Sequence, residues 1–168
     1  MRATDVLAIL DCLAAAGAAA WLDGGWGVDA LAGEQTREHD DLDLVIAIEQ
    51  LPAALATLNT LGFTVATDEL PTRLVARDPA DRRIDFHPVT WDSGGGGHQA
   101  LPDGTTFRYP PEGFTGQGVV AGRPVACLTA EVQARCHLGY SPDETDYHDM
   151  RLLRDRCGVA LPPPYDGV

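Results

Sequence analysis

The sequence predicts an α/β domain in which a mixed sheet is flanked by helices and followed by C-terminal helices. Two runs, Leu42 to Ile48 and Arg83 to Val89, are apolar and β-favouring. Two others, Val6 to Ala16 and Leu51 to Leu61, repeat apolar residues at helical spacing. The 168 residues suffice for one sizeable core but not for two. A single domain over residues 1–160 follows, with its core at about 1–126, a helical part at about 129–157 and an extended, frayed tail at 161–168.

Thr4 is placed to cap the first helix, whose apolar face is Val6, Ile9, Leu10, Leu13 and Ala16, and Gly17 suits its left-handed exit. A short strand over Ala19 to Leu22 leads into a Gly24–Gly25 turn, then a short helix over Gly27 to Leu31 that Gly33 ends. The strand from Leu42 carries acids at its entry. A helix from Gln50 to Leu61 closes at Gly62, and strands follow at Phe63–Ala66, Leu74–Arg77 and Arg83–Val89. Between Trp91 and Gly118, glycines and prolines interleave with Phe107, Tyr109 and Phe114, the pattern of small hairpins or a folded-over wall. One strand is expected over Val119–Ala126 and a helix capped by Thr129 to about Leu138. A capping box at Ser141–Glu144 opens a last helix to about Cys157.

All twelve basic residues are arginine, and 25 acids leave a net charge of −13. Such a surface repels phosphate backbones and anionic lipid, which argues against nucleic-acid and membrane partners and favours a cationic small molecule or a metal–nucleotide complex. No apolar run approaches the roughly 20 residues that cross a bilayer, and the N-terminus lacks an export signal. Cys12, Cys127, Cys136 and Cys157 form no CxxC pair. A cytoplasmic protein with reduced thiols is the expectation.

Asp41 and Asp43 lie two apart on a strand, so both carboxylates leave the same face. They read either as a solvated strand end or as ligands of a divalent cation, and hard oxygen donors suit Mg²⁺. Asp85, between Ile84 and Phe86, is an acid in an otherwise buried run and needs a partner. It reads as a third ligand or a general base, or else as an ion-pair partner of Arg83 or His87. Gly24 and Gly25 precede a helix, where free amides and the helix dipole favour an anion. Arg37 and His39 flank the acidic strand and are candidates for touching phosphate, with an Arg37–Glu38 pairing as the alternative. Trp26 is a candidate for stacking on a base, or else a core residue.

The phrases WLDGGWGVDALAG from Trp21, TREHDDLDL from Thr36 and RIDFHP from Arg83 resemble the polymerase-β-like nucleotidyltransferases. REHDDLDL, IDFHPV and GYSPDETDYHDM narrow the resemblance to the lincosamide nucleotidyltransferases, with the aminoglycoside adenylyltransferases next. It spans Trp21 to about Leu153. It implies that Asp41, Asp43 and Asp85 serve as metal ligands and catalytic acids, with two Mg²⁺ ions during turnover. Gly24 and Gly25 become the triphosphate turn, joined by Trp26, Arg37 and His39, and Arg73, His87 and Tyr140 face the substrate. The implied activity moves a nucleotidyl group, by default from ATP, to a hydroxyl of a small antibiotic. A homodimer is implied, with the C-terminal helices of one subunit helping to close the other's pocket. The rival readings are a non-catalytic nucleotide-binding module and a metal-dependent phosphoesterase.

Overall fold

The computed structural model describes residues 1–167. In chain order its elements are α1 (Ala3–Ala15), β1 (Ala20–Asp23), α2 (Gly24–Ala32), β2 (Asp41–Ala47), α3 (Leu51–Leu58), β3 (Thr64–Glu69), β4 (Arg73–Arg77), β5 (Arg83–Trp91), β6 (Gly97–Ala100), β7 (Thr106–Tyr109), β8 (Gly116–Val120), β9 (Arg123–Cys127), α4 (Ala130–Cys136) and α5 (Glu144–Cys157). The sheet runs β3-β4-β5-β2-β1-β9-β8, and the β6–β7 hairpin extends from the end of β5. Strands β2 and β5 pair in parallel, as do β1 and β9, whereas β1 and β2 are antiparallel. The expected mixed sheet flanked by helices is therefore present.

Side-chain alternation divides the central strands into two unlike faces. Leu22, Leu42, Leu44, Ile46, Ile84 and Phe86 point one way and pack against Val6, Ile9 and Leu13 of α1 and Leu51, Ala54 and Leu58 of α3. Each such buried side chain contributes about 1.5–3 kcal/mol relative to exposure. The opposite face is split. Near the sheet's middle it carries Trp21, Val45 and Val89, which join Tyr109, Leu128 and Val132 in a second cluster. At the other end of the same strands it carries acids. A third cluster links Val28 of α2 to Met150 and Leu153 of α5, so the C-terminal helices are anchored beside the acidic end.

Several local expectations are corrected. Helix α1 begins before Thr4, because Arg2 is its N-cap and Asp5 accepts the Arg2 backbone N–H at 3.1 Å. The glycine turn is itself the first turn of α2, with Asp23 as N-cap accepting the Gly24 N–H at 2.8 Å. The single strand expected over Val119–Ala126 is the β8–β9 hairpin, because Ala121 and Gly122 both take positive φ, the geometry of a tight two-residue turn. Helix α5 starts two residues later than the capping box suggested: Asp143 caps it, accepting from Thr145 and Asp146, and Asp146 returns the bond. Between Leu161 and Gly167 the chain does not fray, since Tyr165 is fully buried and its hydroxyl donates to the His137 carbonyl at 2.9 Å. No helix among the described residues is long and apolar enough to cross a membrane.

Candidate active site

The register of three adjacent strands assembles the acids. Asp23 on β1 stands opposite Asp43 on β2, which stands opposite Asp85 on β5, so the three share a row on one face. Asp41 lies on the same face of β2, with Arg83 as its register neighbour. Burial raises the Asp41 carboxyl, and Asp43 adds to the rise. Asp23, Asp41 and Asp43 line a cleft of about 810 Å³, with a floor from β1, β2 and β5 and walls from the β6–β7 hairpin and the start of α5, and Arg73 stands on its lining in front of Asp85.

The partner of Asp85 is Arg73 of β4 and not the expected Arg83 or His87. Arg73 Nε reaches both carboxylate oxygens at 2.9 and 2.8 Å, and its Nη2 lies 2.5 Å from Oδ2. His87 instead lies 3.3 Å from Asp43 Oδ1. Burial opposes a charge on His87, but the hydrogen bond to Asp43 and the carboxylates of Asp43, Asp23 and Asp85 outweigh it and bring its pKa up to about 9.

Asp43, Asp85 and His87 each offer a ligand atom, and the three atoms lie within 4.8 Å of one another. Asp41 adds a carboxylate on the same face that no cation in its own strand neutralises. A set dominated by carboxylate oxygens fits a hard divalent cation. Asp41 and Asp43 present that chemistry directly, whereas Asp85 does so only once Arg73 has moved.

The glycines are required by what sits against them. A Cβ on Gly24, whose φ is +56°, would lie 2.3 Å from Asp43 Oδ2. One on Gly25 would lie 2.3 Å from Arg37 Nη2 and 2.5 Å from His39 Nδ1. The first turn of α2 thus meets the acidic strand on one side and Arg37 and His39 on the other, and its leading amides lack partners within the helix. His39 is buried, with Nε2 2.5 Å from Asp29 Oδ2. Arg37 does not pair with the Glu38 carboxylate. It grips Asp149 of α5 through Nε at 3.0 Å and Nη2 at 2.7 Å and touches Glu38 only at its carbonyl.

The remaining expected residues separate. Tyr140 is half exposed on the cleft's edge, where its hydroxyl donates to Asp146 at 2.7 Å. Trp26 is corrected to a core residue: it is 2% exposed and tilted against the His39 ring at 4.6 Å, so its face is unavailable to a base. Asp23, Asp29 and Asp149 were not anticipated. Asp23 immediately precedes the glycine turn, and that position was its available signal. Asp149 lies in the GYSPDETDYHDM phrase, but its tie to Arg37 spans 112 residues.

Comparison with known proteins finds chains similar in sequence and in fold. The model of the aminoglycoside-2''-adenylyltransferase family matches residues 5–153. A lincosamide resistance protein of Staphylococcus haemolyticus is 31% identical over 134 residues, which is 80% of this chain and 83% of that protein. A 2''-aminoglycoside nucleotidyltransferase of Klebsiella pneumoniae is 36% identical over 134 residues, 78% of this chain and 71% of the relative. The crystal structure of the lincosamide antibiotic adenylyltransferase LnuA, lincomycin-bound, superposes with a TM-score of 0.79 at 30% identity, covering 90% of this chain and 95% of that one.

Proposed function

The chain belongs to the aminoglycoside-2''-adenylyltransferase family, whose relatives are antibiotic nucleotidyltransferases of lincosamide or aminoglycoside type, and from that premise we propose that it transfers an adenylyl group from ATP to a hydroxyl of a lincosamide. The observation that carries this reading is the pair Asp41 and Asp43 on one strand face, directly against the glycine start of α2, with Asp85 one strand away. An aminoglycoside is the second acceptor. The lincosamide is preferred because Leu101, Pro102, Phe107 and Leu138 give the cleft an apolar wall, suited to an alkylated acceptor more than to a polycationic sugar. The homodimer implied by the resemblance remains an expectation of this reading.

In the proposed reaction the acceptor's hydroxyl oxygen bonds to the α-phosphorus. The bond from that phosphorus to its bridging oxygen breaks, and pyrophosphate leaves with the electron pair. Mg²⁺ held by Asp41 and Asp43 would supply the positive charge that stabilises the phosphoryl oxygens in the transition state. The amides at the start of α2 bind triphosphate oxygens, with Arg37 closing over them and His39, buried against Asp29, backing the turn from inside. Asp85 takes the hydroxyl proton once the triphosphate has drawn Arg73 away, and His87 places a positive charge behind Asp43.

The test incubates the purified chain with Mg²⁺, each nucleoside triphosphate and a panel of lincosamides and aminoglycosides, and reads product mass. A lincosamide heavier by one adenylyl group is expected with ATP, and Asp43→Asn is expected to lose it by at least a hundredfold. Nucleotide hydrolysis indifferent to every antibiotic would mean a phosphoesterase instead.

A further inference from the structure

Arg37 and Asp149 are joined in a way that a surface ion pair is not. Asp149 is 2% exposed and comes from α5, whereas Arg37 comes from the loop between α2 and β2. Two parallel contacts, Nε to Oδ1 at 3.0 Å and Nη2 to Oδ2 at 2.7 Å, fix the plane of the guanidinium as well as its position. A third contact, from Nη1 to the Glu38 carbonyl at 3.2 Å, closes off rotation about the side chain's end. The same Nη2 would lie 2.3 Å from a Cβ on Gly25, so a side chain there would displace the guanidinium. Behind Asp149 stands His137, its Nε2 3.9 Å from Oδ2, while its Nδ1 is 2.8 Å from the Gln133 carbonyl. The support therefore runs from α4 through α5 to the start of α2.

We infer that Asp149 is a positioning residue for nucleotide binding: it holds the Arg37 guanidinium over Gly25, where it meets the triphosphate. This rests on the proposed function, in that Gly24 and Gly25 receive the phosphates. A free arginine would spend rotamer entropy on each binding event, whereas a pre-set one has already been ordered by folding. Helix α5 thereby takes part in nucleotide affinity, beyond walling the acceptor side. A purely structural pair would instead tie α5 to the loop and leave the affinity of the folded protein untouched.

The test titrates the full-length protein, native and as Asp149→Asn, Arg37→Gln and the double variant, with the Mg²⁺ complex of α,β-methylene-ATP and separately with inorganic tripolyphosphate. Asp149→Asn is expected to weaken both about tenfold, the order lost when support behind a binding group is removed. The double variant should bind no more weakly than Arg37→Gln alone, because Asp149 acts through that arginine. In turnover, KM for the nucleotide rises while kcat at saturation is kept. If Asp149→Asn fails to fold, Arg37→Lys replaces it: the charge stays, the two-point grip is lost, and affinity should still fall several-fold. Native affinity in a folded Asp149→Asn or Arg37→Lys protein, or tighter binding in Asp149→Asn, overturns the inference and leaves the function standing. A native chain that binds neither probe overturns both.

Discussion

Gly24 and Gly33 show how one residue type serves two ends. Both take positive φ, +56° and +82°, where a Cβ costs about 1–2 kcal/mol. Only at Gly24 would the new carbon also strike Asp43, since nothing lies within 4 Å of the Gly33 position. Gly33→Ala and Gly24→Ala should therefore both lower the melting temperature, by about 2–8 °C for a domain of this size. Gly24→Ala alone should lose transfer activity, because Asp43 must move. Equal activity in the two variants would remove Asp43 from the reaction. At this scale, the shared strand face of Asp41 and Asp43 and the glycine start of α2 are legible in the sequence, because alternation and turn chemistry are local rules, whereas the pairing of Asp85 with Arg73 is not. Asp149 and Asp29 were not, since their partners are set by packing between distant segments. The role expected of Trp26 failed for the same reason: spacing marks it as apolar and says nothing of which side of α2 meets the cleft.

Among the elements, α4 and α5 meet through titratable groups whose balance changes near neutral pH. Burial works against a charge on His137, but the Asp149 carboxylate and the Gln133 carbonyl favour it, with Asp23 adding a weaker pull, and the outcome is a pKa raised above 6.5. Asp149 is affected in the opposite sense: burial pushes it up, while His137 and Arg37 more than offset this and lower it, so it stays ionised through neutral pH. A histidine whose folded pKa is raised stabilises fully below its unfolded value and loses that contribution as pH rises through the folded one. The melting temperature of the native chain should exceed that of His137→Gln most at about pH 6, and the gap should shrink as the pH climbs above 6.5. A gap that does not vary with pH would mean that folding leaves the His137 pKa unchanged, and one that grows as the pH rises would mean that the buried imidazole is neutral. The positions of α4 and α5 were readable from Thr129 and the acidic cap, because capping residues act within a turn. Their contact was not, and neither was the division of one expected strand into β8 and β9, because Ala121 carries no sign in its own identity that it will take positive φ.

For the whole molecule, the charge of −13 bears on which acceptors reach the cleft. Glu38, Asp40, Glu69, Asp143 and Asp146 line it beside the central acids, so an incoming cation meets a negative field well before contact. The nucleotide enters with its metal, which cancels much of its own charge, and finds Arg37 and Arg73 inside. An acceptor amine has no such carrier and depends on the field itself. Salt shortens the field's reach from about 30 Å at about 0.01 M to about 3 Å at about 1 M. KM for the acceptor should therefore rise with ionic strength, with kcat little changed. The rise should be steeper for an aminoglycoside, which bears several ammonium groups, than for a lincosamide, which bears one. Initial rates over a salt series, with nucleotide and Mg²⁺ held saturating, measure both slopes. Parallel slopes would assign acceptor selection to the apolar wall of Leu101, Pro102, Phe107 and Leu138, and a KM indifferent to salt would remove electrostatic capture from the enzyme's means of choosing a substrate.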